Sequence, residues 1–223
     1  MSIFLICPLK TMLKKLRKEI IIIIYRVEQL SRLPVRRHEI KTSTGDLLYF
    51  AGVPQVLRAY LDLPEGQIIV RVESLSKAAI SFQGAVIGEI IPKLYVTKKV
   101  LFLPIGYEYY EYHLYDKQYE VYESGLGPDK HFYSIYYQGK TIAQIHKDDR
   151  IIRYLNNYSV YALTQQEMMA ALIYTMFLEA GPNCHYGAAI DNLDVDIPYY
   201  TKQKELQEKF DPAFLQKVME EES

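Results

Sequence analysis

Between His38 and Ala162 the chain alternates short apolar or aromatic runs with turn residues. About twelve such runs can be marked: 38–42, 46–52, 67–73, 77–82, 85–91, 94–102, 107–115, 119–123, 132–137, 140–146, 149–154 and 158–162. Each has the length of a β-strand, and the breaks at Ser43-Thr44-Gly45, Gln83-Gly84, Asp116-Lys117, Gln138-Gly139 and Asn156-Asn157 suit tight antiparallel connections. Val56–Leu63 reads as a helical turn closed by Pro64. One unit recurs at an offset of 55 residues. Ile80-Ser81-Phe82-Gln83-Gly84, with Ile87 and Ile90, returns as Ile135-Tyr136-Tyr137-Gln138-Gly139, with Ile142 and Ile145. Both copies read as strand, tight turn and strand, the signature of a repeated supersecondary unit.

The pattern then switches. Thr164-Gln165-Gln166-Glu167 forms a capping box and opens an almost continuously apolar run to Leu178, stopped by Gly181-Pro182. A helix over 165–180 with no polar face must be wrapped by protein. Its sixteen residues span about 24 Å, comparable with a barrel built from strands of about seven residues. Together these features predict a mostly β protein: a closed antiparallel barrel of about twelve strands enclosing a C-terminal hydrophobic helix, with peripheral helices at both ends.

Residues 9–30 place Leu9, Met12, Leu13, Leu16, Ile20, Ile23, Ile24, Val27 and Leu30 at helical spacing between basic residues. They predict an amphipathic helix, although the β-branched run Ile20–Ile24 equally suits a strand. The resulting division is a basic helical extension over 1–34, the barrel with its central helix over 38–182, and an acidic, partly helical tail over 183–223. Two tail helices, Tyr199–Phe210 and Pro212–Glu222, are expected on the outside.

Net charge is −1 over 223 residues, so the whole chain has no nucleic-acid character, yet the charge is uneven. Residues 1–37 carry a balance of +7, and Asp191 to the end one of −5. Two cysteines, Cys7 and Cys184, give no disulfide framework and suggest a reducing compartment. Met1–Pro8 lacks the basic start and small-residue site of a signal peptide, and no apolar run reaches the ~18–20 residues of a membrane span. The expectation is a cytoplasmic protein that can associate with a membrane surface.

The repeated strand–glycine–strand units, the twelve-odd strands and the terminal apolar helix resemble the tubby C-terminal-like fold. The likeness is greatest to its LURP-one-related and phospholipid scramblase branch. Strand pairs there run aromatic, turn glycine, Ile or Val, Gly or Ala, Ile, which Phe82–Ile90 and Tyr137–Ile145 resemble at slightly shorter spacing. Tyr158-Ser159-Val160-Tyr161 and the following helix fall where that branch places them, and the resemblance covers residues 38–180. It implies phosphoinositide binding on a barrel's outside, as in tubby domains, or calcium-dependent action at membranes, as in scramblases. Neither site matches residue by residue. Asn156–Leu163, where scramblases carry acidic calcium ligands, has no carboxylate.

Chemistry-bearing candidates are few. Asp191, Asp194 and Asp196 offer oxygen ligands for calcium but lack the glycine and closing glutamate of an EF-hand loop. Cys184-His185 has no second pair to complete a zinc site. The histidines His38, His113, His131, His146 and His185 are dispersed among apolar and aromatic neighbours and read as sheet residues. Gly125-Leu126-Gly127-Pro128 is a turn, because proline removes an amide that a phosphate cradle would use. The tyrosines 107, 109, 110, 112, 115, 119 and 122 interleave with Glu108, Glu111 and Glu120, which repel nucleic acid and favour packing. No nucleophile motif or cofactor loop is present, so the reading is a non-enzymatic binding or scaffold module without a cofactor. Lys10, Lys14, Lys15, Arg17 and Lys18 beside an apolar stripe could lie on anionic membrane lipid. The alternative is a protein partner or a second copy of the chain, paired through the same helix. An enzyme with a site assembled across strands is the third class.

Overall fold

The computed structural model describes residues 23–31, 35–55, 57–74, 76–100, 103–127, 130–148, 150–151, 155–181, 195–196, 200–214 and 216. Twelve antiparallel strands close into a barrel: β1 (Ile23–Ser31), β2 (Arg36–Thr42), β3 (Leu47–Gln55), β4 (Arg58–Leu63), β5 (Gly66–Ser74), β6 (Lys77–Phe82), β7 (Ala85–Val100), β8 (Leu103–Leu114), β9 (Lys117–Gly125), β10 (His131–Tyr137), β11 (Lys140–Lys147) and β13 (Asn157–Ala162). Neighbours in sequence are neighbours in the wall, and β1 closes the ring between β2 and β13. A short β12 (Arg150–Ile151) pairs outside the barrel with β14 (Val195–Asp196).

The helix α1 (Gln165–Ala180) runs inside, as its sequence requires. Every residue from Met168 to Met176 is buried, so all faces of the helix meet the wall. Inward side chains alternate with outward ones along each strand, with Val27, Ile40, Ile68, Val121 and Val160 at zero exposure. The Thr164 hydroxyl accepts from the Glu167 amide at 3.3 Å and starts the helix. Gly181, forced to extended geometry (ψ 153°) ahead of Pro182, stops it. Charge lies on the outside, where Lys41 meets Glu28 and Glu39 at 2.8 Å and Lys77 meets Glu89 at 2.7 Å. No described helix is long and apolar enough to cross a membrane.

The repeat is the hairpins β6–β7 and β10–β11, and it extends to their irregularities. Gln83 and Gly84, like Gln138 and Gly139, all have positive φ, the backbone of a two-residue type I′ turn. In both hairpins the register slips immediately after the inward isoleucine. Ile80 pairs with Gly88 and Ser81 with Val86, while Ile135 pairs with Ala143 and Tyr136 with Thr141. A third hairpin, β2–β3, repeats the slip: Ile40 pairs with Tyr49 and Lys41 with Leu47. The three hairpins stand four strands apart in the twelve-stranded ring, so the wall has an approximate threefold repeat. The third hairpin shares the slip without the residue pattern, and its turn is the longer Ser43–Asp46.

Several expected elements differ. Ile23–Ser31 is the first barrel strand rather than the end of a helix, because its alternate side chains Ile23, Tyr25, Val27 and Gln29 all turn inward. The barrel therefore begins at residue 23 and not at 38. Val56–Leu63 is not a helical turn: Arg58–Leu63 is β4, with Ala59, Leu61 and Leu63 in the core. The runs 85–91 and 94–102 merge into β7, carried through Pro92, which sits where β7 pairs with β8 alone. In the run 149–154 the described residues Arg150 and Ile151 form β12, outside the ring. The turn between β8 and β9 is Tyr115-Asp116, one residue earlier than expected, and Tyr115 takes φ 56° to make it.

From Tyr200 the chain crosses the outer wall as a strap. Thr201 and Gly125 exchange hydrogen bonds of 2.8 and 2.9 Å. Leu206, on the short helix α2 (Lys204–Gln207), covers Tyr107 and Tyr122. Phe210 stacks on Phe132 at 4.4 Å, and Phe214 seats against Ile24, Tyr161 and Leu163. The described part of the tail lies outside the barrel as expected; of the expected helix Tyr199–Phe210 only Lys204–Gln207 is helical, while within Pro212–Glu222 residues 212–214 and 216 are helical. Replacing Phe210 and Phe214 together with alanine removes two anchors and frees the strap without opening the core. Protease cleavage should then concentrate in residues 200–216 while the unfolding transition of the barrel persists.

Candidate functional site

The sequence-derived membrane residues Lys10, Lys14, Lys15, Arg17 and Lys18 lie outside the described residues, as do Asp191, Asp194, Cys184 and His185. Asp196 is described, in β14 opposite Arg150. Among the described residues no three His, Cys, Asp or Glu side chains gather as a metal site. The tyrosine-rich hairpin divides by strand parity. Tyr112 and Tyr119 join the core, whereas Tyr107, Tyr109 and Tyr122 pack together on the outside beneath the strap. Tyr112 donates to the Ala170 carbonyl at 3.2 Å and ties the wall to α1.

The densest polar constellation was not singled out from sequence. Glu179, in the last turn of α1, is wholly buried. Its Oε1 accepts from the Tyr158 hydroxyl at 2.6 Å and from Asn156 Nδ2 at 3.0 Å. Its Oε2 faces His38 Nε2 at 3.2 Å and Arg36 Nη1 at 3.5 Å. Arg36 Nη2 also donates to the Glu179 carbonyl at 2.7 Å, occupying one of the helix's terminal acceptors. Burial by itself would raise the carboxyl, but His38, then Tyr158 and Arg36, outweigh it and hold it down at about 2. The signal was present in the sequence. Beyond the capping Glu167, Glu179 is the one charged residue in a helix without a polar face, and such a charge must be paired.

A second carboxylate faces inward on β9. Glu123 Oε1 accepts from the Tyr133 hydroxyl at 2.8 Å and lies 2.7 Å from His131 Nε2. Burial would raise this group too, and the contacts with His131 and Tyr133 lower it instead. Tyr133 in turn meets Tyr174 of α1, ring to ring at 6.1 Å. Both carboxylates are held ionised by fixed donors from the wall. Glu179 fastens the helix to the wall, whereas Glu123, with its side chain 29% exposed, links β9 to β10.

Outside the ring, a groove of about 520 Å³ runs along β1 and β13, lined by Arg26, Glu28, Leu30, Asp148, Leu155 and Ser159. It mixes both signs of charge and contains no histidine or cysteine. Inside the ring, α1 is buried along its length. Fold and site together define a helix-filled, twelve-stranded antiparallel barrel whose central helix is fastened by a buried ion-pair network. No protein-family model, curated protein or solved structure matches this chain.

Proposed function

We propose that the chain is a non-enzymatic binding module that acts at an anionic membrane surface. The observation that carries this reading is the filled barrel. With α1 buried on every side, partners must be met by the exterior and by the segments attached to it. The basic segment containing Lys10, Lys14, Lys15, Arg17 and Lys18 joins the barrel at Ile23, and each lysine or arginine near an anionic surface contributes about 1 kcal/mol. The resemblance to tubby-like and scramblase proteins agrees with this reading and remains part of the proposal.

The test is co-flotation with phosphatidylserine-containing and with purely phosphatidylcholine vesicles, at low and physiological salt. Lys14→Glu, Lys15→Glu and Lys18→Glu together should weaken binding to the anionic vesicles by about 100-fold or more. Charge reversal is preferable to a chain starting at Val35, which would lack β1 and leave the ring open. Equal flotation of wild type and variant would refute a role for the basic segment. No flotation on any vesicle would refute the membrane reading and favour self-association, which concentration-dependent mass would reveal.

A further inference from the structure

Strands β7 and β8 outrun their neighbours. β6 pairs with β7 only as far as Ile90, and β9 pairs with β8 only from Tyr110 onward. Beyond these points β7 and β8 pair with each other alone, out to Val100 and Leu103. The two-stranded ladder from Lys93 to Val100 spans about 23 Å at the usual rise, so the pair forms an arm on the barrel rim. Tyr110 at its root packs on Phe177 at 5.5 Å, which puts the arm at the end where α1 terminates. Ile23, where the basic segment enters, pairs with Ala162 near the start of α1, at the opposite end.

The arm exposes large apolar side chains on both faces. Leu94 and Val96 continue the face that buries Ile90 inside the barrel, yet past the rim they are 51% and 41% exposed. Tyr95, on the other face, is 54% exposed and stacks on Tyr107 at 5.1 Å. Gly106 has no room for a side chain, since a Cβ there would overlap the Tyr95 carbonyl. The arm carries Lys93, Lys98 and Lys99 together with Glu108; Lys93 is paired with Glu111 at 3.2 Å, and Lys98 and Lys99 lie toward the tip.

We infer that this arm is the element that enters an anionic bilayer interface. The inference rests on the membrane reading above and names a second contact that the sequence did not suggest. Lys98 and Lys99 toward the tip repel the same strand of a second copy and attract anionic headgroups. A protein groove covers one face of a hairpin, whereas the bilayer interface surrounds both and accommodates Leu, Val and Tyr side by side.

The chain contains no tryptophan, so Tyr95→Trp gives a single reporter at the arm. With phosphatidylserine vesicles its emission should shift to the blue and be quenched by brominated lipid. Adding Leu94→Asp and Val96→Asp should abolish the quenching and weaken flotation by about tenfold or more, with the thermal midpoint of the barrel kept. Flotation of the reporter protein without quenching overturns the arm and leaves the membrane reading standing. Failure to float in any condition overturns both. A blue shift that grows with protein concentration in the absence of lipid assigns the arm to a second copy and overturns the inference.

Discussion

Glu179→Ala should destabilise the protein by about 3–5 kcal/mol, the cost of breaking a buried ion pair by deleting one partner. The loss goes beyond the pair, because Arg36, His38, Asn156 and Tyr158 all converge on this carboxylate. Its removal leaves a guanidinium and an imidazole facing a void. For a chain of 223 residues the unfolding midpoint should fall by about 10 °C. Glu179→Gln separates charge from shape: the amide oxygen can still accept from Asn156 and Tyr158, but Arg36 loses its counter-ion. The sign of the pH dependence follows from the depressed carboxyl, at about 2 when folded against an ordinary 4.5. Stabilisation from its ionisation is complete above 4.5 and disappears as the pH falls from there to about 2, a difference of about 3 kcal/mol. Wild type should therefore lose its advantage over Glu179→Gln across that window in urea titrations. A constant difference between pH 6 and pH 2.5 would show that the ionised carboxylate does not hold the helix.

Leu172→Ala should cost about 2–5 kcal/mol, because Leu172 sits at zero exposure midway along α1 and its neighbours belong to a closed wall that cannot collapse inward. The informative comparison is Val86→Ala. Val86 is 75% exposed beside the β6–β7 turn, and its truncation should change stability by less than about 0.5 kcal/mol. Equal effects at the two positions would mean that α1 is not enclosed. Guanidinium unfolding of both variants, with unchanged slopes, decides the matter.

The twelve-strand count was reached through compensating differences. The twelve runs read from sequence do not include β1 or β4, two of them fall in the single strand β7, and the run 149–154 holds β12, which stands outside the ring. The β1 pattern served two periods at once, since Ile23, Val27 and Leu30 fit a helical stripe while Ile23, Tyr25 and Val27 fit a strand. Local sequence cannot choose between such readings; the open edge between β2 and β13, which only a strand can close, decides it. β4 was obscured by Pro64, which belongs to the turn after the strand rather than to the end of a helix.

Features governed by nearest neighbours along the chain were legible in residue order: the Gln-Gly turns with their positive φ, the Thr164 cap, the proline stop, and a helix too apolar to stand anywhere but inside. These depend on backbone sterics and on the cost of exposing hydrocarbon, and both act within a few residues. Placement needed the closed ring. It brings Arg36 and His38 of β2 to Glu179 of α1 across more than 140 positions, and it leaves β7 and β8 projecting where β6 ends and β9 parts from β8 beyond Val121. Contacts at such separations arise from strand register, which packing of the whole wall sets.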